Sequence, residues 1–168
     1  VIVADQSGIE LRVNHFLWKV EESIELYERD AEADLYRAFA AARYDITPAE
    51  VTKDQRQLAK VAQLGLGFGA GPPTFQVVAK LMGGLILEQG ESEAIVADWR
   101  AQYYRIVMGW RDCHAALTDV YLGREKAVDP WGFVHTSKRG LHLPSGRVIA
   151  YPSLHEEPRE RGKGKEWW

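Results

Sequence analysis

Arg56, Lys60, Leu64 and Phe68 stand at strict four-residue steps in this 168-residue chain. At 3.6 residues per turn each step rotates by about 40°, so the four share one slowly winding helix face. Two cations, an apolar residue and an aromatic ring, in that order, suit a triphosphate followed by a sugar and a base. The plain alternative is a surface Arg and Lys above an ordinary core stripe. Asp5 closes a short β-branched apolar run and would sit at a strand end, a natural place for an oxygen ligand to Mg²⁺. Strand-end Asp is also common as a turn or cap residue. Asp5 and Glu10 as a glycosidase acid/base pair is the competing enzyme reading, and no sugar-stacking arrangement beside them favours it.

The elements that must position these residues follow from periodicity. Residues 1–5 read as a buried strand. Ser7-Gly8-Ile9-Glu10 has capping-box spacing, so a helix is expected from Ser7, with Ile9, Val13, Phe16, Leu17 and Val20 on its apolar side. Residues 21–50 hold nine acids against Arg29, Arg37 and Arg43, with a weak stripe of Leu35, Phe39 and Ala42. An exposed helix with a solvated acidic face is expected there. Thr47-Pro48-Ala49-Glu50 and Thr52-Lys53-Asp54-Gln55 are successive capping boxes, and the second opens a helix of about 16 residues, roughly 24 Å long. That helix runs into Gly65, Gly67, Gly69 and Gly71, which must loosen or end it. The glycines fail the G-x-G-x-x-G dinucleotide spacing and follow a helix, not a strand. They are better read as letting a helix end pack tightly or a base lie against backbone.

Phe75, Val78, Leu81 and Met82 mark another short helix. Residues 92–122 form the longest periodic stretch, with Ile95, Trp99, Tyr103, Ile106 and Trp110 on one side and a bend expected at Gly109. After Asp129-Pro130 the period alternates, predicting short strands over 131–135, 140–143 and 147–151, with a turn at Pro144-Ser145-Gly146. Residues 156–165 read as a charged loop, and His15, His114 and His142 as structural. The order gives an α+β class, mainly helical with short flanking strands.

Composition bounds the rest. Charged residues at 27% and hydrophobics at 46% exclude disordered and fibrous classes, and no apolar run is long enough for a membrane span. The lone Cys113 excludes a disulfide framework or a cysteine-based zinc site. A net charge of -3 argues against nonspecific coating of nucleic acid, although local basic patches stay open. The apolar start and the Trp167-Trp168 end read as cut, so the sequence is expected to be an excerpt.

Two motifs carry a resemblance. Asp5-Gln6-Ser7-Gly8-Ile9-Glu10-Leu11-Arg12 resembles motif A of family A (Pol I-type) DNA polymerases, D-Y-S-Q-I-E-L-R. Arg56-x-x-x-Lys60-x-x-x-Leu64-Gly65-x-x-Phe68-Gly69 resembles their motif B, R-x-x-x-K-x-x-x-F-G-x-x-Y-G. Residues 94–104 are similar to the long fingers helix, and Gly132-Phe133-Val134 with Leu143-Pro144-Ser145-Gly146-Arg147 to the returning strands. The resemblance covers nearly the whole chain and is closest to bacteriophage members. It implies a palm strand with motif A and its helix over 1–33, helical fingers with motif B over 34–125, and strands returning to the palm over 126–168.

What the resemblance implies is template-directed addition of dNTPs to a primer 3′ end by two-metal phosphoryl transfer, in a host cell's cytoplasm, on primer-template DNA. Asp5 would hold the paired Mg²⁺ ions with the Gln6 carbonyl as a further ligand. Arg56 and Lys60 would bind the triphosphate, with Lys60 also a proton donor to pyrophosphate. Glu10 would exclude the 2′-hydroxyl, and Leu64 and Phe68 would line the sugar and base. Leu64 stands where the family has an aromatic ring, and Phe68 where it has Tyr, so Phe68 cannot hydrogen-bond Glu10 and the gate must rest on packing. Motif C, a His-Asp-Glu hairpin with the second catalytic aspartate, has no counterpart: His155-Glu156-Glu157 lacks flanking apolar strands and precedes Pro158. The chain alone is therefore expected not to extend a primer. A noncatalytic helical nucleic-acid-binding module is the alternative.

Overall fold

The structure is a computed structural model that describes residues 8–157 and 166–167. The strand expected over 1–5, with Asp5, Gln6 and Ser7, lies outside the described residues. Seven helices and a small antiparallel sheet among the described residues make the fold α+β and mainly helical. By contact the chain divides into two units, Val1–Val107 and Met108–Trp168.

In the first unit, α1 (Ile9–Leu17) starts two residues later than the capping-box spacing predicts. Gly8 is its N-cap, in the left-handed conformation at φ 64° with no side-chain cap, so Glu10 sits one position too early for a box. The expected apolar face is also turned. Ile9, Val13 and Phe16 are exposed, and the buried side is Leu11, His15 and Trp18. A histidine at the centre of the buried face hid it from a hydrophobic reading; Ser23 Oγ lies 2.8 Å from His15 Nδ1 and makes that burial tolerable.

The acidic stretch is two helices, α2 (Glu21–Arg29) and α3 (Leu35–Tyr44). α3 is not the exposed helix expected: Leu35, Phe39, Ala40 and Ala41 are buried, whereas Ala42 is exposed. Asp34 caps α3, its carboxylate accepting from the backbone N–H of Tyr36 and Arg37 at 3.0 and 3.2 Å. The Thr47 box forms only by half: the Glu50 carboxylate accepts from Thr47 N–H at 2.8 Å and from its hydroxyl at 2.7 Å, while the Glu50 N–H donates to the Thr47 carbonyl and closes only a turn. The two bonds to its carboxylate hold Glu50 below the usual carboxylate range.

α4 (Lys53–Leu66) has the complete Thr52/Gln55 capping box and runs 14 residues. It packs on α3, on α5 (Pro72–Gly83) and on α6 (Gln89–Gln102). Gly65 allows close approach here, as a Cβ would meet the Val78 Cγ1 methyl at 3.0 Å. α5 buries Phe75 and Ala79 but leaves Leu81 and Met82 outside, contrary to the stripe expected. The long periodic stretch breaks at Tyr103, between α6 and α7 (Tyr104–Leu122), and Gly109 lies within α7. Trp99, Tyr103 and Ile106 keep helical spacing through the break because all three remain in the core.

The second unit carries an antiparallel meander, β1 (His135–Ser137), β2 (Gly140–His142) and β3 (Val148–Ala150), in that spatial order. Its first strand begins at His135, not at Trp131. Asp129 accepts from Trp131 N–H at 2.9 Å and Val134 N–H at 2.6 Å and so bends the preceding segment into a turn. The Pro144-Ser145-Gly146 turn is as expected, with Leu143 N–H donating to Arg147 O at 2.8 Å. Gly140 has φ 135°, and a Cβ there would run into the Ile149 carbonyl. Glu156–Glu157 (β4) and Glu166–Trp167 (β5) pair antiparallel, so the first two residues of the expected charged loop are in a short ladder with the two that follow it.

Candidate functional site

α4 presents two chemically different faces within the first unit. Inward, Ala59, Ala62, Gln63 and Leu66 are buried. Gln63 is the polar exception, and it is fully engaged. Trp99 Nε1–H donates to Gln63 Oε1 at 2.9 Å, and Gln63 Nε2–H donates to the Tyr103 hydroxyl at 2.8 Å. Burial pushes the Tyr103 phenol well above its ordinary value, outweighing the Gln63 bond. The Tyr103 ring lies 4.7 Å from the ring of His15 and 5.2 Å from that of Trp99. Burial pushes His15 down to about 4, and its Nε2 has no hydrogen-bond partner among the described residues.

Outward, α4 carries Arg56, Lys60 and Leu64, Phe68 sits in the turn two residues past its end and Glu10 comes from α1, and the structure groups them unevenly. Glu10, Leu64 and Phe68 line one cleft of about 710 Å³, together with Gly65, Gly69, Ala70, Thr74, Val78 and Met82. Phe68 is 82% exposed, an unusual state for an aromatic ring. Glu10 is the one charged side chain among these lining residues, so the cleft suits a flat, largely apolar group better than a phosphate. The floor is held from α6: Arg100 donates to Ala70 O at 3.3 Å and Ser92 Oγ–H to Pro72 O at 2.8 Å.

Arg56 and Lys60 do not line that cleft. Lys60 is exposed and makes no hydrogen bond or ion pair among the described residues. Arg56 lines a smaller, charged cleft of about 140 Å³ with Arg12, Tyr27, Asp34 and Tyr36. Its Nε donates to Asp34 Oδ2 at 2.6 Å, and its guanidinium sits 5.4 Å from the Tyr36 ring centroid. Burial raises the Tyr36 phenol, and the Arg56 charge opposes that rise. Arg12 covers Tyr27 at 4.4 Å in the same way. Asp5 and Gln6 lie outside the described residues. Among the described residues no group of three or more metal-ligating side chains lies together.

Asp34, Tyr36 and Gln63 are absent from the sequence-based set. Asp34 had a usable signal, an N-cap residue directly before the Leu35/Phe39 stripe. Gln63 had none, since a polar residue beside Leu64 reads as surface.

No protein-family model matches the chain. Two curated relatives match along nearly all of it. A DNA polymerase of Bacillus phage SP02 is 34% identical over 170 residues, covering 98% of this chain and 25% of the relative. DNA polymerase I of Pseudomonas aeruginosa is 30% identical over 167 residues, covering 99% of this chain and 15% of the relative. The chain thus spans a quarter or less of the length of these relatives. Along nearly its whole length it is similar to a segment of these two DNA polymerases.

Proposed function

We propose that the chain is the incoming-nucleotide region of a family A DNA-directed DNA polymerase, acting on primer-template DNA and dNTPs in a host cell's cytoplasm during phage replication. The observation that carries this reading is the shared cleft of Glu10, Leu64 and Phe68. Glu10 comes from motif A and the other two from motif B, so two separately recognised motifs converge on one surface. In this reading residues 34–125 are the fingers, and 1–33 and 126–168 belong to the palm.

Sugar and base pack against Leu64 and Phe68, and Glu10 stands where a 2′-hydroxyl would need room. With Phe68 unable to hydrogen-bond Glu10, exclusion rests on shape. Lys60 and Arg56 take the triphosphate, and Lys60 holds a proton within reach of the leaving pyrophosphate. Phosphoryl transfer asks the protein chiefly for positioning and charge neutralisation, and Lys60 and Arg56 would supply the positive charge. Asp5 and the Gln6 carbonyl would hold Mg²⁺, which in pairs stabilises the attacking and leaving oxygens. Only one carboxylate of the catalytic pair is present in the sequence, so the chain alone does not join nucleotides.

Calorimetric titration of the chain with a dNTP and Mg²⁺ is the direct test. Binding that is weakened by Lys60→Ala and by Phe68→Ala is expected, and no binding at millimolar dNTP would overturn the reading. Template-directed, Mg²⁺-dependent primer extension by the chain alone would overturn its catalytic incompleteness. In a complete polymerase carrying this segment, Leu64→Phe is expected to change discrimination against dideoxynucleotides.

A further inference from the structure

We propose that Asp34 sets the affinity of the triphosphate site by competing with the ligand for Arg56, an inference that rests on the nucleotide reading of Arg56 and Lys60. The two cations are one turn apart on α4, about 6 Å along the axis, yet their states differ. Lys60 is exposed and without a partner among the described residues. Arg56 is held at 2.6 Å by Asp34, in a cleft other than the one lined by Leu64 and Phe68. A triphosphate can meet Lys60 at once, but in Arg56 it meets a guanidinium whose Nε–H is already given to a carboxylate and whose charge that carboxylate partly cancels.

The exchange is feasible because neither partner is stranded by it. Asp34 keeps its cap bonds to the Tyr36 and Arg37 N–H groups, and the Arg37 guanidinium already stands 3.9 Å from the same oxygen. Arg56 keeps the Tyr36 ring beneath it at 5.4 Å. The pair is part-exposed on both sides, at 38% and 27%, so it is a weak ion pair that a polyanion can outbid. Ligand-free, Arg56 is parked; with a polyphosphate on Lys60 it is released. Asp34 is a positioning residue in this scheme, since it touches no ligand.

Asp34→Asn tests the idea, because Asn caps a helix as well as Asp and removes only the charge. Inorganic tripolyphosphate and a dNTP, each with Mg²⁺, are titrated calorimetrically into the parent chain, Asp34→Asn, Arg56→Gln and the double variant. Asp34→Asn is expected to tighten both ligands about two- to five-fold, the range of one part-exposed ion pair. The double variant is expected to match Arg56→Gln. Equal affinity of parent and Asp34→Asn would overturn the competition while leaving the nucleotide reading intact. The same tightening with and without Arg56 would also overturn it, assigning the effect to general charge. No binding of either ligand by any variant would remove the nucleotide reading and this inference together. Circular dichroism checks that α3 survives, and Asp34→Ser, which also caps without charge, must repeat the result.

Discussion

The two faces of α4 differ in what fixes them. Gln63 on the inner face has both ends of its amide engaged by Trp99 and Tyr103, in a region with almost no solvent. One turn away Lys60 and Phe68 lie open, and Arg56 is held only by a part-exposed carboxylate. The inner face therefore carries stability, and the outer face is left with few packing duties. A helix built this way can change its ligand chemistry without unfolding, because the two sets of side chains share a backbone but almost no partners.

That division can be broken from the inside first. Trp99→Ala removes the largest fully buried side chain and strands Gln63, so a loss of about 3–5 kcal/mol in urea unfolding is expected. A loss below about 1 kcal/mol would mean that the inner face is not the stabilising one.

The next effect is acid sensitivity. His15 titrates at about 4 in the folded chain against about 6.5 unfolded, so the unfolded state binds more protons between those values. Its contribution is unchanged above about pH 6.5, is lost as pH falls towards 4, and is flat below. The full drop is about 3 kcal/mol at 1.36 kcal/mol per pKa unit. His15→Gln should flatten the stability–pH curve in that window, and an unchanged slope would assign the acid lability elsewhere.

Gln63→Leu comes third. It removes the hydrogen bonds that the Trp99 N–H and the Tyr103 hydroxyl make to Gln63 in the core, at a cost of about 2–3 kcal/mol. Pairing it with Tyr103→Phe should recover part of that loss, which a purely steric role for Gln63 would not allow. Smallest of all, Lys60→Ala and Phe68→Ala should shift stability by no more than about 0.5 kcal/mol while weakening dNTP binding about tenfold or more. Equal losses of stability and binding would erase the distinction between the faces.

Sequence reading succeeded where the signal is local. The Thr52/Gln55 box located the start of α4, although the helix ends at Leu66, short of Phe68, and the four-residue series divides between two clefts and open surface. It failed where a buried polar group took an apolar group's place. The face of α1 escapes an apolar reading because a buried histidine stands at its centre, with Nδ1 paired to Ser23, eight residues on. The break at Tyr103 was hidden because core residues keep helical spacing across it. The Asp34–Arg56 pair joins residues 22 apart, and only the packing of α3 on α4 brings them together.

The tethers from α6 impose a limit on travel. Ala70 and Pro72 are each tied through a carbonyl, to Arg100 and Ser92, just beyond the last turn of α4. Five residues, 67–71, join α4 to α5, a span of at most about 17 Å at full stretch, and its far end is moored. Any swing of the Phe68 end of α4 is therefore the motion of a short leash. It can pivot about Ala70, but it cannot leave that anchorage unless α6 moves with it or the Arg100 bond breaks.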